Sequence, residues 1–404
     1  MKRYKWLIVL GCCLMIMAFQ GIVNNCYSIY IIHVTRDLQI SRSAYTLTQT
    51  LHFMACMVGS FFSWKVFERF GIIRSIRTCS IIVACLYCSY GAVTHVAGFY
   101  IRSLIIGCCV GIGSTTPVTI LIKQWFGDES GVAQGVAFMG SGLGGAVFLK
   151  LANLTLVSST WRTTYLVLGI CVGLLSILPA FFLIKTPKQA AAATKETAKP
   201  GRFAGAEIPA WITVILLACM LLSGISQGTQ LYIITPYLQD IGYSATFAAN
   251  VSSVSFVLIA VGKLLEGLLI DKKGITVALR VSYLCLILGL FSMCLMKRIW
   301  LLAVFLLCSI FSNSFPTILG PLLPLYLYNE ENKRKAVGWF SAAMSCGFSL
   351  SSILPSVVYD KMGSYVPMFI GCGIVCIVLM FTVDGIVRYY SAKECEKAEK
   401  NGKT

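Results

Sequence analysis

Twelve long apolar segments constrain the fold of this chain more than any other feature of its sequence. Each is long enough to cross a hydrocarbon core of about 30 Å as a helix. Lipid offers the backbone no hydrogen-bond partner, and segments of about ten alternating residues, as in membrane barrels, are not what this sequence shows. We therefore expect an all-α integral membrane protein with twelve transmembrane helices near 6–32, 44–66, 74–94, 98–122, 131–153, 163–184, 210–236, 246–270, 277–296, 299–327, 336–357 and 364–388.

Composition and charge agree with this class. The chain is 57% hydrophobic and 12% charged, whereas a soluble domain carries about 25% charged residues. The net charge of +17 could suggest a nucleic-acid partner, but 24 of the 33 Lys and Arg residues fall on one predicted side of the membrane. This positive-inside bias places both termini in the cytoplasm and turns a basic surface toward anionic membrane lipid. We expect a monomeric multi-pass protein of a cell membrane, suited to a bacterial inner membrane, with no nucleic-acid partner.

A long polar stretch divides the spans into six and six. Residues 185–209 are rich in Ala, Lys and Pro, as in a linker between domains. The predicted organisation is an N-terminal six-helix half (1–184), a cytoplasmic linker (185–209), a C-terminal six-helix half (210–388) and a cytoplasmic tail (389–404). Neither the linker nor the tail is long enough to form a soluble catalytic domain.

The two halves resemble each other at a constant offset of 203 residues. The positions that correspond are Gly59 and Gly262, Gly71 and Gly274, Arg77 and Arg280, and Gly144 and Gly347. Many transporters are built from such repeats, with the substrate bound between them near the middle of the membrane. The alternative is a chance match between Gly-rich helices.

Cysteine usage gives no sign of a metal or redox site. All of the 18 cysteines except Cys395 fall in apolar spans, where cysteine behaves as a small hydrophobic residue. We expect neither a metal nor a cofactor.

The segments that follow spans 2 and 8 carry one motif twice. GLLIDKKG (267–274) has an acid, a base and glycines at a helix end, and ERFG (68–71) is its counterpart. The motif resembles the loop signature of the major facilitator superfamily, in which glycine allows close helix approach and the acid pairs with neighbouring groups to hold one state closed. The first copy departs from the signature, with Glu68 in place of Asp and Trp64 in place of the leading Gly. The gating residues that this resemblance implies are Glu68, Arg69, Gly71, Asp271, Lys272 and Gly274.

Three further strings resemble one branch of that superfamily, the monocarboxylate transporters and oxalate–formate antiporters. They are GCCVGIG (107–113) followed by Pro117, WFGDESGVAQGVAFMGSGLGGAVF (125–148) and WRTTYLVLG (161–169). In that branch a basic residue of span 8, eight positions before the acid or amide of the loop signature, binds the substrate carboxylate. Lys263 stands eight positions before Asp271, so the resemblance implies that Lys263 binds an anion. The branch favours Arg there, and its preceding acidic residue is Ile259 in this chain.

Glu266 offers a replacement for the missing acid. It follows Lys263 by three residues, so the two side chains share a helix face and could neutralise each other. One interpretation is a purely structural ion pair. The other is that a substrate anion, or a proton on Glu266, exchanges with that pairing, since ionisable residues inside a membrane are usually functional.

Several other polar residues are candidates for a central cavity. Amides of spans 1 and 7 could line it, or could join helices to each other. His52 could relay protons or simply be a hydrogen-bonded packing residue. The candidates are Asn24, Asn25, Tyr27, His52, Gln227, Gln230 and Tyr232.

These patterns predict a secondary transporter of a small organic anion, a mono- or dicarboxylate. Transport would use alternating access and either proton symport or exchange for a counter-anion. The main alternative is a proton-driven multidrug exporter of the same fold, because only Lys263 argues for an anion. A signalling receptor would need a larger cytoplasmic surface, and the sequence contains no H-E-x-x-H, G-x-S-x-G or Walker motif that would indicate an enzyme or an ATP-driven pump.

Overall fold

Helices make up all of the regular structure in the residues that the computed structural model describes, which are 2–127, 130–186 and 208–401. Of the predicted linker 185–209, only the first two and last two residues are described, and residues 402–404 of the predicted tail also lie outside. The α-helices are α1 (Lys2–Ile16), α2 (Ile31–Asp37), α3 (Arg42–Phe70), α4 (Ile72–Ser89), α5 (Val96–Gly113), α6 (Thr115–Phe126), α7 (Gly131–Ser158), α8 (Trp161–Phe182), α9 (Ala210–Asp240), α10 (Ala245–Lys273), α11 (Ile275–Met293), α12 (Ile299–Ser312), α13 (Gly320–Leu327), α14 (Glu330–Ser351), α15 (Leu354–Met362) and α16 (Val366–Asn401).

Ten of the twelve predicted spans coincide with helical segments that are long and apolar enough to cross a membrane. The other two, 44–66 and 336–357, are helical in α3 and in α14 with α15, but α3 and α14 are not among those ten. The reason is that both helices carry polar residues on the face along which α3 and α14 pack against each other. Their polar residues, such as Ser60 and Ser341, therefore face protein rather than lipid.

Polarity is distributed as a bilayer requires. Large apolar side chains cover the outside of the bundle, and serines such as Ser176, Ser282 and Ser309 are buried within it. A membrane protein can leave apolar side chains exposed because lipid is their solvent, whereas its polar groups need partners inside the protein. Among the most exposed apolar residues are Leu154, Val157, Phe182, Leu307 and Phe381.

Two seams join the helices on either side of the predicted linker. In the first seam α7 lies along α10, and in the second α3 lies along α14. Glycine allows the backbones of the first seam to touch. A Cβ atom on Gly135 would lie 2.5 Å from the carbonyl oxygen of Lys263, and one on Gly142 would lie 2.7 Å from that of Phe256. At these two glycines the backbone of α7 therefore lies directly against α10.

The repeat seen in the sequence recurs as geometry. Gly71 joins α3 directly to α4 with φ of 80°, and Gly274 joins α10 to α11 with φ of 86°. This left-handed region disfavours any residue with a Cβ atom. The expected close helix approach is found instead at Gly267, whose Cβ would lie 2.3 Å from the carbonyl oxygen of Gly131. The motif thus uses one glycine for packing and another for the turn.

The corresponding arginines also occupy equivalent places. The Nε of Arg77 donates to the carbonyl oxygen of Ala180 at 3.1 Å. The Nε of Arg280 donates to the Oδ1 of Asp384 at 2.8 Å. Each arginine therefore ties the third span of its half to the sixth.

Candidate functional site

A cavity of about 120 Å³ lies between the two seams. It draws residues from both sides of the predicted linker, as expected for a site between two repeats. Its aromatic and aliphatic wall includes Phe53, Phe256, Met344 and Phe348. Its polar lining residues are Gln20, Asn24, Asn25, Ser60, Thr115, Ser141, Lys263, Asn313, Thr317, Ser341 and Ser345.

Interrupted helices place many of these polar groups. The first span changes from α1 to a π-helix over Met17–Asn24, and the fourth is broken at Ser114 between α5 and α6. The tenth is interrupted between α12 and α13 by a π-helix over Phe315–Leu319. Irregular helices at membrane depth are tolerated where they line a cavity, and π-helical turns are frequent at functional sites.

Lys263 is the one charged residue that lines this cavity in the part of the chain that the structure describes. Its side chain is 3% exposed. The Nζ donates to the Oγ of Ser141, which lies across the seam on α7. Asn25 fixes that segment from the other side, since its Nδ2 donates to the carbonyl oxygen of Ser141 at 3.0 Å. The cation is therefore anchored in the wall of a mostly neutral cavity.

A chain of amides and hydroxyls forms the wall supplied by the first span. The Nδ2 of Asn24 donates to the Oε1 of Gln20 at 2.8 Å, and the Nε2 of Gln20 donates to the Oγ of Ser114 at 3.2 Å. The broken first and fourth spans are thus linked to each other beside the cavity.

The tenth span extends a similar chain away from the cavity. The Nδ2 of Asn313 donates to the Oγ of Ser312 at 3.3 Å, and that hydroxyl donates to the Oε1 of Gln230 at 2.9 Å. Gln230 therefore supports a cavity residue through Ser312 without lining the cavity itself.

Asp271 closes one end of the bundle. Its Oδ1 accepts a hydrogen bond from the backbone N–H of Gly131 at 2.7 Å, and its Oδ2 accepts one from Val132 at 2.8 Å. These N–H groups are the unpaired donors at the start of α7, where the helix dipole favours a negative charge. Asp271 belongs to α10, so the contact joins the two sides of the first seam. We call it the Asp271 clasp.

Three aromatic rings pack together on the opposite side of the cavity from the Asp271 clasp. The ring centroids of Phe53 and Phe348 are 6.0 Å apart, and that of Tyr232 lies 6.3 Å from each of them. The rings come from α3, α14 and α9, so they also bridge the two sides of the second seam. The cavity thus lies between an aromatic cluster and a charged clasp.

The predicted site residues divide into two groups. The structure places Lys263, Asn24, Asn25 and Tyr232 together around the cavity. The remaining five lie away from its lining, namely Glu266, Tyr27, Gln227, Gln230 and His52.

Glu266 does not form the expected ion pair with Lys263 among the described contacts. Glu266 is fully buried, and its Oε1 accepts a hydrogen bond from the Oγ of Ser282 at 2.8 Å. Three residues along a helix correspond to a rotation of about 300°, so the two side chains can diverge by about 60°. That divergence directs Glu266 toward α11, whereas Lys263 reaches α7.

His52 and Tyr27 belong to a separate small cavity of about 20 Å³ inside the N-terminal half. The ring of Tyr27 stacks on that of Tyr45, with centroids 5.0 Å apart, and its hydroxyl donates to the Tyr45 carbonyl oxygen at 2.5 Å. His52 packs edge-on against Phe53, with centroids 5.6 Å apart. The last of the five residues outside the central lining, Gln227, is buried in α9.

The gating residues of the two motif copies differ in their environment. Both carboxylates are exposed, but Asp271 is bonded across the seam, whereas no such bond is described for its counterpart Glu68. The basic residues Arg69 and Lys272 are exposed at the helix ends, and the guanidinium of Arg69 lies 5.4 Å from the ring centroid of Phe70. The first motif copy has Glu in place of the signature Asp, and it also lacks the bond across the seam that the second copy forms.

Sequence reasoning missed several residues of the site. Ser141 lies within the string GSGLGG, where it stands out as a hydroxyl among glycines. Gln20, Thr317 and Ser345 also line the cavity. Serine and threonine can satisfy their own helix backbone, so their identity alone did not indicate which of them face a cavity.

Comparison with known proteins agrees with this architecture. The family model of the Major Facilitator Superfamily matches residues 12–326 and again 216–402. Monocarboxylate transporter 12-B of Danio rerio is 21% identical over 98% of this chain and 89% of its own length. The lysosomal dipeptide transporter MFSD1 of Bos taurus is 23% identical over 95% of this chain and 88% of its own.

Solved structures show the same fold. The proton:xylose symporter XylE superposes with a TM-score of 0.73 at 15% identity, covering 94% of this chain and 95% of that one. The human organic anion transporter MFSD10 gives 0.68 at 14% identity, covering 94% and 99%. The helical bundle and the cavity between its seams agree with the family match, which covers most of the chain. This chain therefore belongs to the major facilitator superfamily and is a membrane-spanning transporter of that family.

Proposed function

We propose that this protein is a secondary transporter of a small organic anion, a carboxylate, that works by alternating access. The observation that carries the proposal is the single buried ammonium group of Lys263 in the cavity wall. A cation in a low-dielectric site attracts an anion far more strongly than one in water. A buried charge is also costly unless it is paired, which favours a role in binding.

Hydrogen-bonding capacity supports the same role. An ammonium group has three donors, and Ser141 accepts from one of them. A carboxylate, whose oxygens accept hydrogen bonds, would take the place of the Ser141 hydroxyl and use the other two donors as well. Neutral donors beside it, such as Asn24, Asn25 and Asn313, would hold the rest of a polar substrate.

Size and charge narrow the class of substrate. Pockets for drug-sized ligands occupy about 300–1,000 Å³, whereas this cavity measures about 120 Å³. A multidrug exporter is therefore disfavoured. One lysine balances one carboxylate, so a monocarboxylate fits better than a fully charged dicarboxylate. The similarity to proteins named monocarboxylate transporter 12 and organic anion transporter MFSD10 supports an anionic substrate.

The closures of the cavity provide a mechanism for alternating access. Release of the Asp271 clasp would part α7 from α10 and open one end. Separation of Phe53, Tyr232 and Phe348 would open the other end. The charge bias places both termini in the cytoplasm, on the inner side of a cell membrane. The Asp271 clasp then lies on the cytoplasmic side as well.

Coupling to protons is assigned to Glu266 in this proposal. Its carboxyl group is buried and bonded to Ser282, apart from Lys263. Movement of the helices would expose this carboxyl group to each side of the membrane in turn, so that it takes up a proton on one side and releases it on the other. If transport is instead an anion exchange, a counter-anion bound at Lys263 would be the coupled ion in place of the proton.

Counterflow in proteoliposomes tests the proposal directly. Vesicles are loaded with unlabelled formate, lactate, pyruvate or oxalate, and the labelled anion is added outside. Saturable uptake is expected for the wild type, with uptake at least tenfold lower for Lys263→Ala and partly retained for Lys263→Arg. If none of the carboxylates is taken up, the proposed substrate class is wrong. Expulsion of a cationic dye under a proton gradient would then favour the multidrug exporter.

A further inference from the structure

Three buried polar side chains lie near the Asp271 clasp, on α6 and α7, the helices that supply Thr115 and Ser141 to the cavity. They are Thr119 of α6, Ser130 at the start of α7 and Gln134 of α7, and each is 0% exposed. None of their side-chain oxygen or nitrogen atoms has a hydrogen-bond partner among the described residues. Buried polar groups in native proteins are nearly always paired, so three unpaired ones on two adjoining helices require an explanation.

Helix geometry directs them toward the centre of the bundle. Gln134 precedes Ser141 by seven residues, which is two turns, so both side chains face the same way. Ser141 lines the cavity and meets Lys263. Thr119 follows the cavity residue Thr115 by four residues and shares its face in the same manner. Gln134 and Thr119 therefore continue the polar wall of the cavity toward the Asp271 clasp.

Two of the three residues have apolar counterparts in the other half. At the offset of 203 residues, the counterparts of Thr119 and Gln134 are Leu322 and Val337, and both are fully buried. A symmetric structural need would place similar residues in both halves. The difference between the halves instead indicates that the buried polar residues of α6 and α7 have a functional role.

Ser130 and Gln134 also flank the contact that closes this end. Asp271 accepts hydrogen bonds from Gly131 and Val132, the two residues that follow Ser130. When that contact separates, these hydroxyl and amide groups gain access to water. Their burial without partners therefore disfavours the closed end relative to the open one.

We propose that Thr119, Ser130 and Gln134 form the polar wall of the route by which the anion travels between the cavity and the Asp271 end. The side chains offer neutral donors to a carboxylate after it leaves Lys263. That the transported molecule is a carboxylate rests on the proposed function, whereas the opening of the route does not. The same groups destabilise the closed end and so promote its opening.

Hydrogen exchange of the full-length protein in nanodiscs, without substrate, tests the route. The amides of Gly131 and Val132 can exchange only when the clasp opens. Gln134→Leu and Thr119→Val keep the approximate shape of each side chain and remove the buried polar group. We expect each variant to slow exchange of the peptide that contains these amides by about tenfold.

Gln227→Leu is the matched control. Gln227 is also a buried glutamine whose amide has no partner among the described residues, but it lies in α9 and outside the cavity lining. It should leave exchange at Gly131 and Val132 unchanged. The proposal is overturned if either Gln134→Leu or Thr119→Val fails to slow exchange, or if Gln227→Leu slows it equally.

Counterflow separates this inference from the proposed function. Slower exchange together with a slower counterflow rate in Gln134→Leu supports both. Slower exchange in a protein whose wild type transports no carboxylate supports the route and rejects the substrate. Normal counterflow in the wild type, together with unaltered hydrogen exchange in the variants, rejects the route and supports the proposed substrate class.

Discussion

Lys263 and Glu266 are three residues apart on α10, yet their charged groups bond to different helices, Lys263 to Ser141 of α7 and Glu266 to Ser282 of α11. The proposed anion site and the proposed proton site can therefore be altered separately. One side chain faces the cavity between the halves, and the other faces the interior of its own half.

Glu266→Gln should uncouple transport from protons. Glutamine retains the hydrogen bond to Ser282 but cannot take up or release a proton. We expect counterflow at equal pH to stay within a few-fold of the wild type, while stimulation by a pH gradient is lost. Uptake of the labelled anion with and without the gradient measures both quantities. Undiminished stimulation in the variant would show that Glu266 does not carry the proton.

Ser141→Ala should tighten anion binding. In the unliganded state the Ser141 hydroxyl bonds to the Lys263 ammonium, and hydrogen bonds to charged groups contribute about 1.5–3 kcal/mol. Loss of that bond destabilises the unliganded state, so the half-saturating concentration should fall by about tenfold. Ser141→Thr, which keeps the hydroxyl, is the control and should resemble the wild type. A rise in the half-saturating concentration would mean that Ser141 binds the substrate instead.

Asp271→Asn should loosen the Asp271 clasp. The amide side chain is neutral and offers only one oxygen to the two N–H groups that the carboxylate now binds. Exchange of the Gly131 and Val132 amides should accelerate by about tenfold, as judged by mass spectrometry. Glu68→Gln makes the same change at the equivalent position of the first motif copy, for which no bond across the seam is described, and should have little effect. Equal acceleration by both variants would contradict a specific role for Asp271.

Gly262→Ala should destabilise the C-terminal half. A Cβ atom at this position would lie 1.6 Å from the carbonyl oxygen of Ile310, so α10 and α12 must move apart. Overpacking of this kind costs on the order of 1–3 kcal/mol. The midpoint of thermal unfolding in detergent should fall by several degrees.

Gly371→Ala is the control for this substitution, because a Cβ atom there would have no neighbour within 4 Å. Its unfolding midpoint should match that of the wild type. If Gly262→Ala is equally stable, the approach of α10 to α12 is less close than described here.

The sequence was sufficient to predict the helices and the internal repeat. Apolar length located the spans, and the offset of 203 residues anticipated the paired turns at Gly71 and Gly274. Both properties depend on local sequence or on composition along the chain. The resemblance to the carboxylate branch implied that Lys263 binds an anion, and Lys263 lies in the cavity wall.

The direction in which each polar side chain points was less predictable. Spacing alone suggested that Glu266 would pair with Lys263, but the choice of partner depends on which helices pack nearby. The same limit applies to His52 and Tyr27, which face a cavity within one half rather than between halves.

The close contact of α7 with α10 has a mechanical consequence. Interlocked side chains resist sliding, because each must leave one groove before it enters the next. At Gly135 and Gly142 the two backbones meet without interlocking side chains between them. In the proposed transport cycle, these two glycines would let one half rotate against the other with little resistance from interlocking side chains. The Asp271 clasp and the aromatic cluster would limit that rotation at its two ends.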